Sequence, residues 1–160
     1  MIINIVRSTP FVVLLVAIMP VTKFLIGTRI GATAAIVPLT VNAIPLLTRL
    51  FENSLLDTGS GILEAALAMG ATPLQLVTKF ILPESLGSVI LSLTTGIVGL
   101  IGASAMAGYV GGGGIGALVL NYGYNRFNFT LMYSLVVVLI IITQCIQSLG
   151  NFFAGKARRK

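Results

Sequence analysis

Histidine is absent from this 160-residue chain and cysteine occurs once, at Cys145. An intrachain disulfide is therefore impossible, and a histidine-based metal or catalytic site is excluded. Charge is scarce too: 9% of residues are charged against 56% hydrophobic, and the mean hydropathy is +1.04. Soluble domains carry roughly 25% charged residues, so the composition predicts an integral membrane protein. The alternating segments of a membrane β-barrel are missing as well, which leaves an all-α fold. No glycine-rich loop ending in Gly-Lys-Ser or Gly-Lys-Thr occurs, so no nucleotide hydrolysis is expected of this chain. Arg7 and Pro10, with no small-residue cleavage pattern after a short apolar core, argue against a cleavable signal peptide.

Four apolar stretches are present: about Ser8 to Ile26, the run between Arg29 and Arg49, from after Glu84 to about Gly108, and about Phe129 to Phe153. A membrane span needs about 20 residues; the last three qualify, and the first does so if Ile2 to Val6 join it with Arg7 reaching the interface. Pro38 and Pro45 fall inside the second stretch, where neighbouring helices absorb the freed carbonyls. In the third stretch Gly99, Ala103 and Ala107 stand four apart, a spacing that lets helices approach closely.

The net charge of +6 is spread along helix ends rather than gathered on one face, which argues for membrane topology and against nucleic acid. With the C-terminal tail in the cytoplasm, four spans put Arg7, Arg49, Lys79, Lys156, Arg158, Arg159 and Lys160 inside, and Lys23, Arg29 and Arg126 outside. That bias predicts a cytoplasmic loop at about 51–85 and an extracytoplasmic one at 110–129.

All four acidic residues, Glu52, Asp57, Glu64 and Glu84, lie in the first of these loops. It reads as two short helices. The first starts near Ser60 or Gly61 and ends at Met69, with Gly70 in the left-handed conformation after it. The second has Thr72 as N-cap, Pro73 at the first position and Gln75 at the third, a capping box, and Pro83 predicts a stop near Leu82. Leu74, Val77 and Ile81 form an apolar stripe that needs a protein surface to cover it.

Glu64-Ala65-Ala66, then Gly70, then Leu82-Pro83 resemble the EAA coupling loop of ABC-importer permease subunits, with Phe80 where many members carry isoleucine. Arg7-Ser8-Thr9-Pro10-Phe11, Ile36-Val37-Pro38-Leu39-Thr40, Ser104-Ala105-Met106, and Tyr109-Val110 with the glycines that follow are similar to the methionine importers within that class. The resemblance implies a helical-bundle permease in the bacterial plasma (inner) membrane. It implies a homodimer bound to two copies of an ABC ATPase subunit and served by an extracytoplasmic methionine-binding lipoprotein, with no cofactor and no enzymatic activity of its own. The cargo would be D- or L-methionine or related amino acids. Glu64, Ala65, Ala66, Gly70, Leu82 and Pro83 would couple to the ATPase, and Met106, Ser104 and Asn42 are candidates for the translocation path or gate. Such permeases have five spans, and this sequence begins where the second would start, so four of five are visible. The alternatives are a truncated, non-transporting membrane protein that regulates such a complex, and a stand-alone secondary transporter. The latter usually carries intramembrane ionisable residues, whereas these spans hold no acid.

The remaining features have local readings. Gly111 to Gly114 suit a turn or an outer loop that meets a binding protein. Asn121, Tyr122, Tyr124 and Arg126 suit an interfacial belt, and Cys145 a small buried apolar residue.

Overall fold

The computed structural model describes residues 9–158. Ile2 to Ser8, with the start of the Arg7-Ser8 motif, and the basic residues Arg159 and Lys160 lie outside the described residues. Among the described residues there is no strand; the order is α1 (Phe11–Ala17), α2 (Met19–Ile26), α3 (Ala32–Leu56), α4 (Ser60–Ala68), α5 (Pro73–Gln75), a π-helical turn (Leu76–Ile81), α6 (Leu82–Ala107), a 3-10 turn (Gly108–Val110), α7 (Gly114–Leu118), a second π-helical turn (Val119–Tyr124) and α8 (Phe129–Ala157).

Three helices among the described residues are long and apolar enough to cross a membrane: Ala32–Leu56 with 25 residues, Pro73–Ala107 with 35 and Phe129–Ala157 with 29. The first apolar stretch is helical in two pieces of 7 and 8 residues, α1 and α2. Pro20 sits in the opening turn of α2, where its missing N–H is tolerated. Pro38 and Pro45 are both buried inside the continuous α3.

One local expectation fails. No stop occurs before Pro83: the helix runs unbroken from Pro73 to Ala107. The chain passes the proline by widening into the π-helical turn, in which the Leu82 amide donates to the Val77 carbonyl, five residues back. An α-helical path would drive the Pro83 ring into the carbonyl four residues earlier; the wider turn moves it aside.

The chain forms two compact units: the described residues up to Leu46 with Ile97–Cys145, and Leu47–Gly96 with the described residues from Ile146 on. In the first, Leu15, Ala35 and Ala107 form a buried cluster packed by Phe11, Met19, Leu39 and Val110. The small-residue stripe of α6 faces inward here. Ala103 and Ala107 are buried, and a Cβ on Gly99 would touch Leu46. Gly111, Gly113 and Gly114 all have positive φ (73°, 72° and 76°), and this turn lets Gly116 of α7 close onto the Ala105 backbone.

The second unit is tied by hydroxyls and small residues. The Ser54 and Ser92 hydroxyls lie 2.5 Å apart, and each reaches the Leu50 carbonyl, at 2.9 and 3.1 Å. Gly96 lies against Leu47, Gly150 against Thr94, and Gly87 under the stem of Arg158. In the part of α8 that belongs to the first unit, large aliphatic residues such as Val137, Ile140 and Ile141 are more than half exposed, a surface suited to lipid rather than water.

Candidate functional site

Residues 57–83 form a helical hairpin within the second unit. Helix α4 opens at Gly59 and spans Ser60–Ala68. Alanine is the strongest helix former, and Ala65, Ala66 and Ala68 keep this short helix narrow. It ends in a Schellman motif: the Gly70 amide donates to Leu67 O at 2.9 Å and the Ala71 amide to Ala66 O at 3.1 Å. Gly70 has φ +75°, a conformation that costs any residue with a Cβ about 1–2 kcal/mol.

Thr72 starts the next helix at once. Its hydroxyl accepts from the Gln75 amide at 3.4 Å, and its own amide donates to Gln75 Oε1 at 3.0 Å, so the capping box read from the sequence is formed. Two orphan amides are thereby satisfied. The return helix lies against α4, and Ala66 is fully buried, with 0% of its surface exposed.

The positions singled out in the sequence divide by exposure. Glu64, Ala65, Gly70, Leu82 and Pro83 are exposed, whereas Ala66 faces inward. Four large apolar residues, Leu67, Met69, Leu74 and Val77, are between 50% and 74% exposed. Met69 and Leu67 were not singled out by the sequence reading; their signal is that they precede Gly70 at the end of a helix too short to bury them. Glu64 and Lys79 are exposed on the same hairpin. Beside its base, a polar pocket of about 380 Å³ is lined by Asp57, Glu84, Ser88 and Arg158 among others, with Arg158 donating to Ser88 Oγ at 3.5 Å.

The three path candidates lie elsewhere, in the first unit. Ser104 contributes to an open groove of about 400 Å³ in the first unit, with Ile36, Leu39, Thr40, Leu100 and Ile101. The Ser104 hydroxyl donates to Ile101 O at 2.8 Å and that of Thr40 to Ile36 O at 2.8 Å. Both are thus satisfied by their own helices, and the groove is apolar with two polar points. Asn42 is half-buried and Met106 is 47% exposed; neither lines this groove. Thr40 was quoted only as part of a motif, although its hydroxyl is the second polar point. Among the described residues no group of histidine, cysteine and carboxylate side chains is arranged to hold a metal.

Long apolar helices joined by an exposed, capped hairpin define a membrane-spanning permease of the ABC-importer class. Residues 1–159 match the family described as "Binding-protein-dependent transport system inner membrane component", and the chain belongs to it. It is similar to the "Probable D-methionine transport system permease protein MetI" of Vibrio cholerae, with 53% identity over 94% of this chain and 67% of that protein. The protein of that same description from Pasteurella multocida is 48% identical over 97% of this chain and 71% of its own length. Among solved structures, inward-facing conformations of the MetNI methionine ABC transporter contain a chain that superposes with a TM-score of 0.90 at 46% identity. That match covers 98% of this chain and 72% of the other.

Proposed function

We propose that this protein is the permease subunit of a methionine importer of the bacterial inner membrane, moving D- or L-methionine or related amino acids by alternating access. Two copies pair in the membrane, each engaging one copy of a separate ATPase subunit, and an extracytoplasmic lipoprotein delivers the cargo. The chain acts as a single permease domain whose cytoplasmic loop 51–85 docks on the ATPase.

The observation that carries this reading is the hairpin. Its tip exposes Leu67 and Met69 ahead of the Pro73–Ala107 helix, and Leu74 and Val77 at that helix's N-terminal end, an arrangement that water disfavours and a protein groove accommodates. Glu64, Ala65, Ala66, Gly70, Leu82 and Pro83 set its shape and polarity. The relatives named for D-methionine transport support the cargo, and the apolar groove with Thr40 and Ser104 suits a thioether side chain. Ser104 is assigned to the path, with Met106 on its own helix and Asn42 on the helix of Thr40.

The test is ATP-driven uptake of labelled methionine into proteoliposomes holding the permease and its ATPase, with the binding protein added outside. Glu64→Lys is the coupling variant. Uptake that depends on ATP and falls in the variant supports the proposal. A complex that takes up methionine equally with and without ATP overturns it in favour of a stand-alone transporter. A stable complex with no uptake leaves a regulatory membrane protein.

A further inference from the structure

We infer that Pro83 is a positioning residue: it holds the π-helical turn Leu76–Ile81 and so fixes the rotational register between the hairpin tip and the helix that enters the membrane. This rests on the docking role proposed above for the hairpin. The tip residues Leu74 and Val77 belong to the same unbroken 35-residue helix as the first turns of α6. Such a helix is roughly 50 Å long, against about 30 Å of hydrocarbon core, so its N-terminal part stands clear of the membrane as a rod. A rod transmits rotation as well as displacement, and which face it presents depends on how many residues each turn holds.

A π turn holds one residue more than an α-helix needs to cover the same path. The Leu82 amide reaches Val77 O rather than the carbonyl of Thr78, immediately before a residue that has no amide to donate. If the segment relaxed to an α-helix, everything before it would turn by about 100° and shift by about 1.5 Å relative to everything after it. Leu74 and Val77 would then leave the face they now occupy. Proline forbids that relaxation, because the ring meets the carbonyl of Lys79 in an α-helical path. The capping box at Thr72 and Gln75 closes the other end, so the extra residue is held between two fixed points.

The experiment uses the permease–ATPase complex and reads ATP-driven uptake together with ATPase retention. Three changes are compared: Pro83→Ala, deletion of Thr78, and both together. Removing the ring lets the turn relax and should lose most of the uptake. Deleting Thr78 alone leaves Pro83 against a carbonyl and should do the same. Combined, they give an α-helix without the surplus residue, which restores the original face, so uptake should return to near the wild-type rate. That mutual rescue depends on register and would not follow from a general loss of stability. Wild-type uptake in Pro83→Ala overturns the inference, as does a double variant no better than the single ones. Leu74→Asp separates the two levels of the argument. If it abolishes uptake while the Pro83 series fails to rescue, only the register assignment falls; if it leaves uptake and ATPase retention unchanged, the docking role of the hairpin falls with it.

Discussion

Gly150 of α8 lies directly against the side chain of Thr94 on α6, so that a Cβ at position 150 would collide with Thr94 Cβ and Cγ2 as well as with its hydroxyl. Because the Thr94 Cβ is among the atoms met, a rotamer change does not relieve the contact. Gly150→Val should lower the thermal midpoint of the purified protein in detergent by the equivalent of about 1–3 kcal/mol, the usual range for overpacking. Thr94→Ala should be mild alone, since its hydroxyl bonds Ile90 O of its own helix, and should recover part of the loss in combination. Strict additivity in that pair would show that the two residues do not share a contact.

Gly70 tests the hairpin itself. Gly70→Ala keeps the N–H that binds Leu67 O and should cost about 1–2 kcal/mol for the left-handed backbone. Gly70→Pro removes that donor and demands a negative φ. It should abolish ATP-driven uptake while the protein still inserts, because the change lies outside the apolar spans. Normal uptake in Gly70→Pro would take this turn out of the mechanism.

The capping box makes a separable prediction. Thr72→Ala and Gln75→Ala each remove one side of a reciprocal pair and should each destabilise the second hairpin helix by about 0.5–2 kcal/mol. Hydrogen exchange should accelerate at the amides of Thr72 and residues 74–77 in both variants, with the double change costing less than the sum. Unchanged protection there would mean that contact with α4 alone holds the helix.

The groove offers a blocking experiment. Ser104→Trp fills the space between Ile36, Thr40 and Ile101 without touching the hairpin. Methionine uptake should fall to background while the ATPase still co-purifies. Retained uptake would place the path away from this groove.

Sidedness is open to direct measurement. In a Cys145→Ser background, a cysteine at position 60 should react with an impermeant thiol reagent only after the membrane is opened, and one at position 125 should react in intact spheroplasts. The reverse pattern would invert the topology read from the basic residues.

Much of the hairpin was legible in the sequence because its determinants are local. Gly70 after an alanine-rich run, and Thr72-Pro73-Leu74-Gln75 next, act over three or four residues, and the structure places the turn and the cap where those residues predict. Pro83 misled for the same reason. A proline rule considers the α-helical alternative to a break and overlooks a π turn that moves the obstructing carbonyl. Among the path candidates, Ser104 lies in a groove with Thr40, whereas Asn42 and Met106 do not; sequence spacing gave no means of telling these apart.

Hydropathy and capping chemistry by themselves determined that this is a helical membrane protein, which stretches hold its three long helices, and where the hairpin turns; they did not determine that one of those helices starts at Pro73. Those are free energies of single residues and single turns. Only the tertiary structure decided that Ser54 meets Ser92 across 38 positions, that Gly150 receives Thr94, and that the hairpin's buried alanine is Ala66. In water, an apolar stripe tells a helix which side to bury. In lipid both sides are apolar, and helices are chosen by close packing and scattered hydroxyl contacts, which exist only once the partner helix is in place.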